Sequence, residues 1–171
     1  MPIHRLNHAV LYVRDATRSA AFYIEQLGFR RVGAYDSPAG VFLQAEGSTN
    51  DHDLALFTIG AAATESMAGR GEVGLYHLSW EVDTLADLAR FAERLQAIGS
   101  LVGATNHGTT RSLYAKDPDG LEFELTWVVP AALLTGVDKP GIAPLDLPHE
   151  IERFGADTLG GVGISRPAPT V

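Results

Sequence analysis

An internal repeat constrains this chain more than any other feature, because one pattern of predicted elements occurs twice in succession. Residues 6–13 and 75–82 both have the β-rich composition of strands, and each segment carries a histidine near its middle. These histidines, His8 and His77, stand 69 residues apart. The repeat predicts two similar modules in tandem.

Each copy continues with a helix and three further strands. Asp15 is predicted to cap the first helix and Gly28 to end it, while Thr84, with Asp87 three residues later, caps a second helix that ends at Gly99. The strand segments that follow are residues 29–35, 41–46 and 53–59 in the first copy, and 101–104, 112–116 and 121–128 in the second. The chain is therefore predicted to be an α+β protein of two βαβββ modules.

The predicted domain leaves a tail at its C-terminal side. We expect residues 1–130 to form one domain, with module one at about 4–60 and module two at about 73–129. Residues 131–171 form an extension rich in proline and glycine, in which residues 147–151 are predicted to begin a short helix. The apolar content of this extension predicts that it packs on the core or on a partner subunit.

Composition excludes several classes of function. The net charge of −8 argues against nucleic acid or an anionic membrane as a partner, because both would be repelled. The absence of cysteine excludes disulfides, iron–sulfur clusters and thiolate ligands. The sequence shows no signal-peptide pattern and no apolar run that could span a bilayer, so we expect a cytoplasmic protein.

The repeat places His8 and His77 at equivalent positions in the two modules, so pseudo-two-fold packing would bring the imidazoles together. Glu124, between Phe123 and Leu125 in the last predicted strand, offers a carboxylate where a core-facing strand rarely carries a charge. Two histidines and one carboxylate on one face of a metal are the ligands of non-haem Fe(II) oxygenases. The alternative is that each histidine is an ordinary core or surface residue and that the glutamates of this strand face solvent.

The duplicated unit with these three residues resembles the vicinal oxygen chelate (glyoxalase/bleomycin resistance/dioxygenase) superfamily. The turn at residues 117–120, Asp-Pro-Asp-Gly, is typical of that superfamily, and the resemblance extends from the N-terminus to about Trp127. It implies a cupped, pseudo-two-fold mixed sheet around a metal held by His8, His77 and Glu124.

Further positions resemble single-domain extradiol (catechol 2,3-type) dioxygenases. His52 resembles the acid–base histidine of those enzymes, His107 the histidine of a substrate-contacting His-Gly loop, and Tyr114 an active-site tyrosine. Residues 52–58 contain no glutamate, whereas glyoxalase-type members take a fourth ligand from the corresponding strand. The resemblance implies a catalytic set of His52, His107 and Tyr114, with Fe(II) or Mn(II), acting on an aromatic diol and O2.

Each of these residues has a simpler interpretation. His52 would then be a solvated turn residue, His107 a loop cap and Tyr114 a core aromatic. His4 and His149 match nothing and are assigned no role.

Two other functions stay open: a metal-dependent isomerase or lyase of the same superfamily, and a small-molecule (antibiotic) binding protein. With only one pair of modules, we expect a homo-oligomer. The substrate depends on which of five apolar side chains face the pocket: Phe42, Leu54, Leu56, Trp80 and Trp127.

Overall fold

The computed structural model describes Ile3 and residues 5–33 and 37–161. These residues form two compact units. The first comprises the chain up to Gly74 together with Asp117–Leu121, and the second comprises Leu75–Lys116 and the chain from Glu122 onward. His4 and the last part of the extension, 162–171, lie outside the described residues.

The first unit has the predicted βαβββ order. Its elements are β1 (Ala9–Val13), α1 (Ala16–Leu27), β2 (Arg30–Arg31), β3 (Gly40–Gln44) and β4 (Leu54–Thr58). The sheet order is β1-β4-β3-β2, in which β1 runs parallel to β4 and the other pairs are antiparallel. The first and last strands of the module are therefore neighbours.

Helix α1 begins and ends where its capping residues predict. The Asp15 carboxylate accepts hydrogen bonds from the backbone N–H groups of Thr17 and Arg18, at 2.8 and 3.1 Å. Gly28 ends the helix with a φ of +76°, a left-handed conformation that a glycine adopts without strain. The buried face of the helix, with Ala16, Ala20 and Tyr23, belongs to the core of this unit.

Two details of the first unit differ from the prediction. His8 is not in the middle of a strand but directly precedes β1, whose ladder starts with Ala9 opposite Leu54. The strand predicted at 29–35 is reduced to the two residues of β2, because Gly33 has a φ of +83° and leaves the extended conformation. The end of that predicted strand, residues 34 and 35, lies outside the described residues.

The turn at residues 117–121 belongs to the first unit although it connects two strands of the second. The Asp119 carboxylate forms ion pairs with Arg14 and Arg18, at 2.9 and 2.8 Å, and accepts a hydrogen bond from the Ser19 hydroxyl. Tyr23 donates its phenolic hydrogen to Asp117 at 3.3 Å. Burial raises the pKa of both Tyr23 and Asp117 above their ordinary values. The Asp117 charge raises the pKa of Tyr23 further, whereas the hydrogen bond from Tyr23 partly offsets the rise in the pKa of Asp117.

The second unit repeats the order of the first and adds the extension. Its elements are β5 (His77–Glu81), α2 (Leu85–Ala97), β6 (Leu101–Asn106), β7 (Thr110–Lys116), β8 (Glu122–Val128), β9 (Ala143–Pro144) and α3 (Leu147–Phe154). The sheet order is β5-β8-β7-β6-β9, again with the first strand of the module parallel to its last. Thr84 caps α2 by accepting a hydrogen bond from the Asp87 amide, as predicted. His77 is the first residue of β5 rather than its middle.

The described part of the extension packs on the second unit. Strand β9 pairs with β6, and the Phe154 ring lies 5.5 Å from that of Trp127, measured between centroids. Trp127 is fully buried and donates its indole N–H to the Thr158 carbonyl at 3.1 Å. The short helix predicted near residues 147–151 is present as α3, with Asp146 at its N-cap.

Two mixed sheets with three α-helices, arranged as a βαβββ order in each unit, confirm the predicted α+β class and its repeated modules. No helix among the described residues is both long and apolar enough to cross a membrane.

Candidate functional site

Glu124 and His77 lie side by side on two neighbouring strands of the second sheet, β8 and β5. Strand β8 is flanked by β5 and β7, so Glu124 is not on an edge, and the residue is only 9% exposed. The interpretation of Glu124 as a solvent-facing residue is therefore wrong. Its Oε2 lies 3.3 Å from Nε2 of His77, whereas the other ring nitrogen of His77 is buried without a hydrogen-bond partner.

The surroundings of Glu124 favour its charged form. Burial alone would raise the pKa of this carboxyl, but hydrogen bonds from Ser112 and Ser79, followed by the His77 charge and the Tyr114 hydrogen bond, lower it below the ordinary value of 4.5. Glu124 is thus a carboxylate at neutral pH. Sequence reasoning missed the two serines, although Ser79 follows His77 by two residues and Ser112 precedes Tyr114 by two. Side chains two apart share one face of a strand, and this period could have identified them.

Tyr114 and His107 continue the same cluster. Tyr114 lies directly opposite Glu124 in the β7–β8 ladder, with its hydroxyl 3.3 Å from Oε1 of Glu124 and 2.8 Å from Nε2 of His107. Burial and the Glu124 charge raise the pKa of Tyr114 to about 12, so the phenol keeps its proton at neutral pH. Tyr114 is half-buried and in contact with polar groups, which is not the environment of a core aromatic.

In the first unit, His8 and His52 form a pair of imidazoles. Their ring centroids are 4.5 Å apart, and Phe42 packs edge-on against His52 at 5.1 Å. His52 lies in the turn before β4 and has an ion-pair distance of 3.1 Å to Asp51, but its side chain is only 16% exposed. The interpretation of His52 as a solvated turn residue is therefore wrong. His8 is exposed, and its Nδ1 lies 2.7 Å from the side-chain oxygen of Asn7.

The six predicted site residues thus form two groups, one in each unit. His8 and His52 are in contact in the first unit, and the second unit brings together His77, Glu124, Tyr114 and His107. Across Ile3 and residues 5–33 and 37–161, no group of three or more His, Asp or Glu side chains has the spacing of a metal site. The three-ligand set stays a prediction.

The His77–Glu124 pair on its own fits a divalent cation. Two donor atoms that lie about 2.1 Å from one ion and roughly at right angles to each other are about 3 Å apart. The observed 3.3 Å between nitrogen and carboxylate oxygen is close to this separation, and a carboxylate with an imidazole is a donor set that iron and manganese accept.

The apolar side chains considered for the pocket separate into two classes. Leu54, Leu56 and Trp127 are fully buried in the cores of their units, whereas Phe42 and Trp80 are half-buried. Of these two, Phe42 packs against a predicted site residue, His52. A pocket of about 270 Å³ lies elsewhere in the second unit, beside the extension, and none of the six predicted site residues lines it. This pocket therefore does not mark the position of Glu124.

Comparison with known proteins gives a family. Residues 5–125 match the model of the Glyoxalase/Bleomycin resistance protein/Dioxygenase superfamily. A solved glyoxylase/bleomycin resistance protein/dioxygenase domain from Frankia sp. EAN1pec superposes with a TM-score of 0.63 at 20% identity, covering 76% of this chain and 96% of that one. At this identity the likeness shows the fold alone.

Curated relatives include enzymes of two kinds. Biphenyl-2,3-diol 1,2-dioxygenase 3 of Rhodococcus globerulus is 35% identical over 71% of this chain and 62% of its own length. Catechol-2,3-dioxygenase of Bacillus subtilis is 27% identical over 70% of this chain and 40% of its own. A probable chloroplastic lactoylglutathione lyase of Arabidopsis thaliana is 30% identical over 71% of this chain and 35% of its own. The chain thus matches between about a third and three fifths of the length of these relatives.

Proposed function

Because the chain belongs to the Glyoxalase/Bleomycin resistance protein/Dioxygenase superfamily, we propose that it is an extradiol dioxygenase that opens the ring of a catechol-type aromatic diol with O2. The metal is proposed to be Fe(II), with Mn(II) as the alternative, and its ligands His8, His77 and Glu124. Its similarity to two dioxygenases named for aromatic diols supports this choice.

One observation carries the proposal: the unbroken side-chain contact from His77 through Glu124 and Tyr114 to His107. The three steps measure 3.3, 3.3 and 2.8 Å between polar atoms. A purely packing role would not need the Tyr114 hydroxyl to contact a carboxylate on one side and an imidazole on the other. This arrangement supplies a ligand pair at one end and proton donors or acceptors for a bound diol at the other.

The metal would bind the catechol oxygens and supply Lewis acidity and redox chemistry toward O2. His77 and Glu124 would hold it in the second unit, and His8 in the first. No glutamate lies in residues 52–58. The carboxylate in this stretch, Asp53, is buried and accepts hydrogen bonds from the Ala45 amide and the Ser48 and Asn50 side chains, so it is not free to be a fourth ligand. The proposed site would then have positions free for both substrate oxygens and O2.

The remaining residues are proposed to handle protons and orientation. The Tyr114 hydroxyl, which stays protonated at neutral pH, would accept a hydrogen bond from a diol hydroxyl, while its own hydrogen stays directed at His107, which holds the hydroxyl in place. His52, enclosed between His8 and Phe42, would accept a proton from the diol and later return it, as an imidazole can near neutral pH. Both atoms of O2 would enter the product, a ring-opened semialdehyde or keto acid.

A metal-dependent lyase or isomerase is the second candidate, and the 30% identity to a probable lactoylglutathione lyase favours it. The two functions differ in whether O2 is consumed. A lyase would convert its thiol adduct without oxygen uptake, and it would not need the His107–Tyr114 contact to a diol.

The test is anaerobic reconstitution with Fe(II), and separately with Mn(II), followed by catechol, a biaryl diol or a fused-ring diol and then O2. We expect a coloured ring-fission product and consumption of one O2 per substrate. Glu124→Gln should lose the metal and the activity, whereas Glu122→Gln, a matched carboxylate on the same face of β8, should retain both. His52→Ala should keep its metal but lose turnover, while the exposed His149→Ala serves as the histidine control.

Two results would contradict the proposal. Full metal content without O2 uptake on any diol would favour the lyase, which a thiol-adduct assay would then test. Unchanged ring cleavage in His52→Ala at full metal content would remove the proposed proton acceptor.

A further inference from the structure

The extension returns to the loop that carries His107 and packs against its backbone. Gly108 has a φ of +82°, and a Cβ atom at this position would lie 2.1 Å from the Lys139 carbonyl oxygen. The Gly141 amide donates a hydrogen bond to the His107 carbonyl at 3.2 Å. No side chain larger than hydrogen fits between the loop and this segment, so residues 138–141 and the loop form one close backbone contact.

Buried charges hold the segment in place. Arg111 is completely buried and donates hydrogen bonds to the carbonyls of Gly108 and Thr110, at 2.7 and 3.2 Å. One of its terminal nitrogens lies 2.8 Å from the Glu150 carboxylate, an ionic contact without a directed hydrogen bond, and 3.5 Å from Asp138. Arg111 therefore connects the His107 loop with Asp138 of the extension segment and with Glu150 of helix α3.

Asp138 and Asn106 complete these connections. Asp138 accepts hydrogen bonds from both terminal nitrogens of Arg153, at 2.7 and 2.6 Å, and from the amide and hydroxyl of Thr135. Asn106 donates to Glu150 at 3.1 Å and accepts from the Gly108 amide at 2.8 Å. Two arginines, the buried Arg111 and the more exposed Arg153, face two buried carboxylates, so the charges of this cluster balance.

The contact reaches the His107 ring itself. Nδ1 of His107 lies 3.2 Å from the Gly141 carbonyl, and a carbonyl oxygen only accepts hydrogen bonds. In the neutral ring Nδ1 then carries the hydrogen, and Nε2 is an acceptor toward the Tyr114 hydroxyl, 2.8 Å away. The single hydrogen of that hydroxyl is directed mainly across this shorter contact, with Oε1 of Glu124, at 3.3 Å, as its weaker acceptor. A carbonyl of the extension thus selects the tautomer that faces the proposed site.

We propose that the 138–141 segment of the extension is a positioning element for His107, fixing the tautomer and orientation of its ring through Gly141 and the close contact at Gly108. The catalytic consequence rests on the proposed function. The structural part concerns the ring of His107 and is independent of any substrate.

The test compares two glycine-to-alanine variants of the full-length chain. Gly108→Ala adds a methyl group where the Lys139 backbone stands, whereas the control, Gly136→Ala, adds one in the same extension where nothing lies within 4 Å. Asp138→Asn is the second disrupting variant, because it removes the charge that both arginines contact without adding bulk. If Gly108→Ala does not fold, Asp138→Asn tests the positioning role in its place.

Two measurements report on the ring and the contact. The ¹⁵N shifts of the His107 imidazole identify its tautomer, and hydrogen exchange at the Gly141 amide reports whether the segment stays docked. Wild type and Gly136→Ala should show the Nδ1–H form and equally slow exchange. The disrupting variants should show mixed tautomers and exchange faster by at least about 10-fold, as expected when an opening costs about 1.4 kcal/mol less.

Kinetics separate positioning from mere stability. The disrupting variants should lower kcat for ring cleavage by about 10-fold or more at equal metal content, with KM changing little, since a mispositioned His107–Tyr114 pair affects the reacting complex. An Nε2–H tautomer in the wild type, or an unchanged His107 ring in a variant whose Gly141 exchange has accelerated, overturns the proposal.

The two proposals fail in different ways. If the wild type cleaves no diol, the proposed function falls, and the tautomer and exchange data alone decide the positioning role. If the wild type cleaves diols and the disrupting variants keep full kcat with a displaced segment, the positioning role falls and the function stands.

Discussion

Replacing Arg111 by methionine should destabilise the second unit strongly. The side chain is completely buried, and methionine has similar length but no charge and no donors. The substitution leaves Glu150, itself buried, without its 2.8 Å ionic partner, and it removes the donor from the Gly108 carbonyl. Asp138 keeps Arg153 as its partner.

The expected loss follows from these contacts. Removing one partner of a buried ion pair costs about 3–5 kcal/mol, because the remaining charge is desolvated and uncompensated. For a chain of this length, each kcal/mol lowers the melting temperature by about 2–4 °C, so the drop should be roughly 6–20 °C. Adding Glu150→Gln should recover part of the loss, since it removes the stranded charge while its side-chain oxygen can still accept from Asn106.

The assay is urea unfolding at pH 7, followed by tryptophan fluorescence, because Trp127 is buried beneath Phe154 in this unit. The two single variants and the double variant form a double-mutant cycle. The reasoning is refuted if Arg111→Met costs less than about 1 kcal/mol, or if the cost of Glu150→Gln simply adds to it.

Three further variants test single contacts of Tyr114, Asp138 and Asp15. Tyr114→Phe should lower kcat by roughly 2- to 10-fold at unchanged metal content, since it removes the hydrogen bond between this hydroxyl and the diol, and a neutral hydrogen bond contributes about 0.5–1.5 kcal/mol; steady-state kinetics with metal analysis checks it. The Arg153 hydrogen bonds hold the pKa of Asp138 well below its ordinary value of 3.8. The charged Asp138 side chain therefore stabilises the folded protein fully at pH values above 3.8, and this stabilisation is lost as the pH falls toward the lower pKa of the folded state. The stability difference between wild type and Asp138→Asn, measured by urea unfolding, should therefore shrink below about pH 4, and a constant difference would contradict the assignment. Asp15→Ala should cost about 1 kcal/mol through loss of the α1 cap, measured by the same unfolding assay, and no loss would mean that the cap adds nothing.

Local signals in the sequence were sufficient for the helices. Asp15 with Gly28 and Thr84 with Asp87 act within a few residues, and the structure has both helices where these residues predict them. Strand ends were less predictable. His8 directly precedes the β1–β4 ladder, which starts at Ala9, and His77 is the first residue of the β5–β8 ladder. The start of each ladder depends on where the partner strand begins and not on local composition.

In the candidate site, too, some features could be predicted from the sequence and others could not. The family resemblance led to Glu124 and Tyr114, and the ladder places them directly opposite each other. The charge network of the extension was not predicted, because Arg111, Asp138, Glu150 and Arg153 are scattered over 43 positions with no periodic relation. Only the three-dimensional path of the chain after Pro130 brings them together, and no local pattern encodes such long-range pairing.

The turn at residues 117–121 bears on how this protein could be divided or rebuilt. By sequence it lies deep inside module two, yet its two aspartates satisfy Arg14, Arg18 and Tyr23 of module one. A fragment that ends near Gly74 would leave those arginines without their carboxylates, so cutting the gene between the modules does not yield a self-sufficient half. Although the repeat implies duplication of one unit, the present halves are no longer interchangeable parts: each exchange of modules must also carry this short turn across.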